Sequence, residues 1–127
     1  ATAVCSVSDT PPTLLVCVNN NNQLNPFIKA NQHFSVNILT EDHQDLANRF
    51  AGLDDISMPD RFLKGEWTQL ITGSPVLQDS LASFDCRLNG FQEVGTHTVM
   101  FGEVLDVRMN FRLKPLLYFQ RKYTTTL

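Results

Sequence analysis

The stretch Ala82-Ser-Phe-Asp-Cys-Arg-Leu-Asn89 carries the clearest structural signal in the chain. Its small or apolar side chains alternate with polar ones every second residue, which is typical of a β-strand with one face in the core. Residues 34–38 repeat the pattern, since Phe34, Val36 and Ile38 are separated by polar side chains. The fold is therefore expected to be built on half-buried strands.

Other segments extend this pattern in both directions. Residues 1–7 are small and β-branched, and residues 14–18 are continuously apolar, which predicts a second strand buried on both faces. Residues 97–108 and 116–119 predict a long and a short strand near the C-terminus. About six strands with turn residues between them favour a mainly antiparallel barrel or sandwich.

Two or three short helices are expected between the strands. Asn25 followed by Pro26 is a favourable helix start, with Asn25 as the N-cap. Thr40 is expected to cap a second helix that ends at Gly52. A third short helix is predicted near Pro59.

Composition limits the classes of function. The 127 residues are 43% hydrophobic and 18% charged, which predicts one domain spanning 1–127. No apolar run approaches the roughly 20 residues that a membrane helix needs, so no membrane partner is expected. The net charge of −3 disfavours nucleic acid as a partner. Five basic residues near the C-terminus predict either a solvated face or a local anion site: Arg108, Arg112, Lys114, Arg121 and Lys122.

Cysteine and histidine positions argue against a metal or disulfide framework. Cys5, Cys17 and Cys86 form no CxxC motif, and we interpret them as buried free thiols of a protein in the reducing cytoplasm. His33 and His43 lack metal-ligand spacing, and His43 is expected on an exposed helical turn. The sequence also contains no Rossmann fingerprint, P-loop or GxSxG motif. Metalloenzyme and hydrolase functions therefore have little support.

Three local features admit a functional interpretation beside a structural one. The small residues 2–8 allow a flat ring to approach the backbone, or they form an ordinary strand. The asparagines at 19–22 offer amides to a phosphate or a heterocycle edge, or they form a plain hairpin turn. Gly95-Thr96-His97 offers a free backbone and an imidazole, or a strand-entry glycine and a structural histidine.

Taken together and in order, eight segments resemble the short-chain flavin reductases. The resemblance covers essentially the whole chain and rests on these motifs: TAVCSVSDTPP (2–12), LVCVN (15–19), FSVNIL (34–39), RFAG (49–52), GSPVL (73–77), LASFDC (81–86), GTH (95–97) and PLLYF (115–119). Each motif is weak alone, and their common order makes the likeness specific.

This resemblance implies a fold and an activity. The fold would be a flavin-binding split β-barrel that forms a homodimer. The activity would be hydride transfer from NADH or NADPH to FMN or FAD. The reduced flavin would pass to a partner oxygenase, such as a 4-hydroxyphenylacetate 3-monooxygenase. Relatives carry roughly a helix and a strand before the segment that matches Ala1, so the chain is expected to lack that part of the family domain.

The resemblance also implies roles for individual residues. The isoalloxazine ring would be lined by Thr2, Ala3, Val4 and Cys5. Its edge and phosphate side would meet Val18, Asn19 and Asn22, and Phe50 and Ala51 would close the flavin site. His97 would position the nicotinamide, with Arg121 and Tyr123 facing the same cleft.

Two other functions stay open at this stage. The same barrel would hold flavin as a carrier or electron-transfer protein without turning over nicotinamide. Alternatively, it would serve only as a dimerisation or interaction scaffold. No protein acid or base is essential to hydride transfer, because the cofactors carry that chemistry and the protein orients them.

Overall fold

The computed structural model describes residues 1, 3–52 and 55–127. This part of the chain contains nine strands, three α-helices and one 3₁₀-helix at Glu41–His43. The strands are β1 (Ala3–Asp9), β2 (Pro12–Asn19), β3 (His33–Ile38), β4 (Trp67–Thr68), β5 (Val76–Leu77), β6 (Ala82–Val94), β7 (His97–Met109), β8 (Leu117–Phe119) and β9 (Lys122–Thr124). The helices are α1 (Leu24–Asn31), α2 (Gln44–Phe50) and α3 (Met58–Arg61).

Five of the strands form one antiparallel sheet in the order β1-β2-β7-β6-β3. Two hairpins, β4–β5 and β8–β9, lie outside it. The predicted mainly antiparallel β fold with two or three short helices is confirmed. The strand number of about six was too low, because strands of two or three residues carry no readable periodicity.

Strand β6 differs from the predicted half-buried strand. Ser83 and Asp85, expected on its polar face, are both fully buried. The Thr72 backbone N–H donates to Asp85 Oδ2 at 2.8 Å, and Ser83 Oγ donates to Asn37 Oδ1 at 2.8 Å. Loop and strand hydrogen bonds therefore cover the face that alternation alone assigns to solvent.

The hydrophobic core lies on one side of the central strands. Its buried members come from β2, α1, β3, β6 and β7: Val16, Val18, Ile28, Phe34, Cys86, Leu88 and Met100. On β2, the face that carries Leu15 and Cys17 is only half-buried. The prediction that both faces of this strand are buried was therefore wrong for that face. At Gly102 a Cβ atom would lie 2.5 Å from Phe34 Cζ, so this close packing requires glycine.

The helix starts differ in one case from the sequence signals. Helix α1 begins at Leu24 with Gln23 as the N-cap, and Asn25 is buried inside the helix, where its amide bonds Thr98. Thr40 caps as expected, because its hydroxyl accepts from the Asp42 backbone N–H. The element that Thr40 caps starts as the 3₁₀-helix and continues as α2, which ends at Phe50.

His43 is not on an exposed turn as predicted. Its side chain is 11% exposed, and Nε2 lies 3.1 Å from Asp79 Oδ2. Nδ1 accepts a hydrogen bond from the Thr40 backbone N–H at 3.0 Å, which completes a capping box. His43 therefore ties the start of α2 to the loop before β6.

The cysteines differ in burial, although all three were expected to be buried. Cys86 is fully buried, Cys17 is half-buried and Cys5 is exposed on β1, with no disulfide joining any of them. Cys5 lies on β1, the terminal strand of the sheet, where six of the seven residues are exposed. Burial, with a smaller contribution from the Asp85 carboxylate, raises the pKa of the Cys86 thiol to about 12.

We expect iodoacetamide to alkylate Cys5 in the folded protein and to spare Cys86. The thiolate is the nucleophile, and at pH 8 the raised pKa keeps Cys86 protonated inside the core. Peptide mass spectrometry should show Cys86 reacting at least about 100-fold more slowly than Cys5 until urea unfolds the chain. A Cys5→Ser variant identifies the fast signal, and equal rates for the two thiols would contradict the burial of Cys86.

Candidate active site

One end of the sheet brings together predicted site residues from β1, β2 and β7. Asn19, the last residue of β2, pairs with His97, the first residue of β7. Ala3 pairs with Cys17 two residues earlier on β2. The register therefore places the start of β1, the end of β2 and His97 at one end of the sheet.

Residues of β1 form an exposed surface at this end. Ala3 and Cys5 are exposed, and the Val4 side chain is 40% exposed. Small side chains on an exposed strand leave its backbone accessible to a flat ligand. The predicted contact residue Thr2 lies outside the described residues. Val18, also predicted to contact the flavin, is buried in the core cluster.

A polar network joins the asparagine turn to the hairpin turn before His97. Asn20 donates from its backbone N–H to Thr96 O at 2.9 Å and from Nδ2 to Gly95 O at 3.2 Å. Its Oδ1 accepts from the buried Thr98 hydroxyl at 2.7 Å. Asn25 Nδ2 donates to Thr98 Oγ1 at 2.9 Å. The network holds the backbone on both sides of His97.

The predicted phosphate contact Asn22 lies in the same turn. Its Oδ1 accepts from the Leu24 backbone N–H at 2.9 Å, which supports the start of α1. Asn19 Oδ1 accepts from the Asn21 backbone N–H at 2.8 Å. The side-chain oxygens of both asparagines thus stabilise the turn, as is common for asparagine.

His97 has one ring nitrogen engaged and one without a partner. Nδ1 lies 2.8 Å from Thr96 Oγ1. Nε2 is buried, and no hydrogen-bond partner for it exists among the described residues. A buried polar atom without a partner is costly and is explained by strain, by a catalytic role or by a bound water, ion or ligand. Arg49 Nε is the other such atom among the described residues, and Arg49 does not belong to the residues grouped at this end of the sheet. His97 Nε2 is therefore the strongest single indication of a ligand at this end of the sheet.

A second group of predicted residues joins α2 to the C-terminal hairpin. The Tyr123 hydroxyl donates to Asn48 Oδ1 at 2.7 Å, and its ring centroid lies 5.1 Å from that of Tyr118. Arg121 is exposed in the tight turn between β8 and β9, with φ of +63°. The exposed Ala51 follows directly on α2.

Phe50 belongs to an aromatic cluster beside a groove. Its ring centroid lies 5.0 Å from that of Phe62 and 5.6 Å from that of Trp67. Phe62, Trp67 and Pro75 line an open groove of about 540 Å³, together with Thr68 and Gln69. Trp67 is held in place because its Nε1–H donates to Lys64 O at 3.0 Å.

Within the described part of the chain, no hydrogen bond, ion pair or ring contact joins the His97 group to the Phe50 and Tyr123 group. The direct contacts thus form two groups, and a shared cleft between them stays a prediction. Of the five C-terminal basic residues, Arg108 donates to Leu77 O at 2.7 Å and the other four are exposed.

Two absences concern the described residues alone. They contain no group of three or more His, Cys, Asp or Glu side chains that would hold a metal ion. They also include no helix with the length and hydropathy required to cross a membrane.

Sequence reasoning missed several residues of the two groups. Asn20 and Thr96 lie inside motifs that were recognised, but no local pattern shows that they meet across a separation of 76 positions. Phe62 and Trp67 carry no periodic signal, because their contact with Phe50 depends on how α2 and α3 pack.

Comparison with known proteins identifies the class. The antiparallel sheet, the exposed first strand and the His97 nitrogen without a described partner define a small β-protein with a candidate ligand surface at one end of its sheet. The whole chain, residues 1–127, matches the family described as the flavin reductase like domain. The chain belongs to this flavin reductase family, which confirms the resemblance drawn from its motifs.

Named relatives agree with this assignment. The chain is 48% identical over 123 residues to the FMN reductase (NADH) RutF of Pantoea ananatis. The alignment covers 97% of this chain and 64% of the relative. It is 41% identical over 123 residues to the 4-hydroxyphenylacetate 3-monooxygenase reductase component of Pseudomonas aeruginosa. That alignment covers 97% of this chain and 72% of the relative. The chain therefore spans about two thirds of the length of these relatives.

A solved structure supports the fold. The crystal structure of a protein described as a flavin reductase of Haemophilus somnus superposes with a TM-score of 0.94 at 40% identity. The match covers 99% of this chain and 80% of that protein. At this similarity the two chains share one architecture.

Proposed function

We propose that this chain is the catalytic part of an NADH-dependent flavin reductase that reduces FMN or FAD and releases the reduced flavin. The observation that carries the proposal is the buried Nε2 of His97, which has no partner among the described residues and lies at the same end of the sheet as the exposed start of β1. NADH is favoured as donor because the name of a relative that is 48% identical specifies it. NADPH stays an alternative that the same assay tests.

The residues present fit a flavin and a nicotinamide. The bound cofactors supply the hydride transfer itself, which requires the two rings to lie about 3–3.5 Å apart. On the protein side, an exposed strand is offered to the isoalloxazine ring by Ala3, Val4 and Cys5. We propose Thr2 as a further contact of that ring. His97 Nε2 offers one hydrogen bond that orients the nicotinamide carboxamide.

The other predicted contacts keep supporting roles in this proposal. Asn19 and Asn22 shape the turn beside the flavin, and Val18 supports it from the core. Phe50 and Ala51 close the site from the end of α2, with Arg121 and Tyr123 on the neighbouring hairpin. We propose that one bound flavin contacts both the His97 group and the Phe50 group.

Partners follow from the same family. We propose a homodimer and a flavin-dependent monooxygenase that receives the reduced flavin, supported by the reductase component of 4-hydroxyphenylacetate 3-monooxygenase among the relatives. We also propose a cytoplasmic location, in keeping with the flavin reductase family to which the chain belongs.

The deciding experiment follows NADH absorbance with purified protein and either FMN or FAD, and then repeats the assay with NADPH. Oxidation that requires added flavin and saturates with its concentration supports the reductase and ranks the four pairs. Flavin binding without oxidation of NADH or NADPH would contradict the reductase function and favour a flavin carrier. A folded protein that takes up no flavin in equilibrium dialysis would leave only the scaffold.

A further inference from the structure

Among the residues that the structure describes, Thr96 is the one whose side chain makes a hydrogen bond to the His97 ring. Thr96 Oγ1 lies 2.8 Å from His97 Nδ1, and both residues lie where the β6–β7 turn enters β7. A histidine ring is oriented, and its tautomer is selected, by the hydrogen bond that its other nitrogen makes. The contact with Thr96 thus orients the ring, and the direction of this hydrogen bond decides whether Nε2 is a donor or an acceptor.

The backbone of Thr96 is itself held in place. Asn20 donates to Thr96 O at 2.9 Å and to Gly95 O at 3.2 Å, from backbone and side chain respectively. The acceptor Oδ1 of Asn20 is engaged by the fully buried Thr98 hydroxyl. A turn anchored on a buried group keeps its geometry, although Thr96 and Asn20 are exposed.

We propose that Thr96 is a positioning residue for His97: its hydroxyl donates to Nδ1 and so places the imidazole proton on Nε2. Neutral imidazole has one donor and one acceptor nitrogen, so an acceptor Nδ1 makes Nε2 the donor. The buried Nε2–H then faces the ligand as a single preset donor, suited to a carbonyl oxygen such as that of a nicotinamide carboxamide. The identity of the ligand in this inference rests on the proposed function. The tautomer of His97 does not depend on it.

The first test reads the tautomer without any cofactor. Long-range ¹H–¹⁵N correlation spectra of the labelled protein are recorded at pH 8.5, where ordinary histidine side chains are neutral. His97 is assigned by the signals lost in His97→Gln. We expect the Nε2–H form in the wild type and a shift of about threefold to tenfold toward the other tautomer in Thr96→Val, the range set by the net strength of a neutral hydrogen bond.

Thr96→Ser is the matched control, because it keeps the hydroxyl and should keep the wild-type tautomer. Thr96 is exposed, so neither variant is expected to disturb folding. The Nδ1–H form in the wild type, or an unchanged tautomer ratio in Thr96→Val, would overturn the proposal.

The second test links the tautomer to NADH. Thr96→Val should raise the KM for NADH or lower kcat by about threefold to tenfold, with the flavin Kd unchanged and activity restored in Thr96→Ser. A wild-type protein that shows the Nε2–H tautomer and no NADH oxidation would contradict the proposed function and support the role of Thr96. Normal NADH kinetics in Thr96→Val would contradict that role and leave the reductase standing.

Discussion

Exchange of His97 for alanine is expected to lower kcat/KM for NADH by about 100-fold, the loss that follows when a reacting group is misplaced by an ångström. The physical reason is the buried Nε2, which has no hydrogen-bond partner among the described residues and is the proposed anchor of the nicotinamide. Flavin binding should change by no more than about threefold, because the proposed flavin surface is on β1. Stopped-flow oxidation of NADH and a fluorescence titration with FMN measure the two quantities.

His33→Ala is the matched control for this loss. His33 lies on β3, and its Nδ1 contacts Ser74 Oγ at 2.6 Å rather than a free site. Its replacement should leave kcat/KM for NADH close to the wild-type value. Equal activity in the His97 and His33 variants would show that His97 is structural and would move the nicotinamide site elsewhere.

The largest expected loss of stability follows from Met100→Ala. Met100 is fully buried in the core cluster at the centre of the sheet. Truncation removes apolar contacts and leaves a cavity that the neighbouring strands fill only in part, so the free energy of unfolding should fall by about 2–5 kcal/mol. Urea unfolding followed by the fluorescence of the single tryptophan, Trp67, provides the measurement.

Met109→Ala provides a matched comparison on the same strand. The Met109 side chain is 52% exposed, so its truncation should change stability by less than about 1 kcal/mol. Similar losses in the two variants would mean that the burial of β7 differs from the arrangement described above.

Local residue patterns were sufficient to predict much of the fold. Period-two alternation at 82–89 and 34–38 identifies strands, because side chains on a strand point to alternate faces. The Thr40 cap was also predictable, since its hydroxyl bonds a backbone N–H only two positions away. Predictions failed where the partner is distant in sequence: Asp85 is buried by Thr72, and His43 by Asp79.

The site shows the same division. Motif order alone was enough to name the family, and it made His97 and residues 2–5 candidate contacts whose roles stay predictions. The meeting of Asn20 with Gly95 and Thr96 was not predictable, and neither was the hydrogen bond of Tyr123 to Asn48. Local patterns report which face of a strand is apolar and where a helix starts, because those preferences act within a few residues. Which polar groups meet, and which nitrogen is left without a partner, depends on strand register and loop packing, and these arise only when the whole chain has folded.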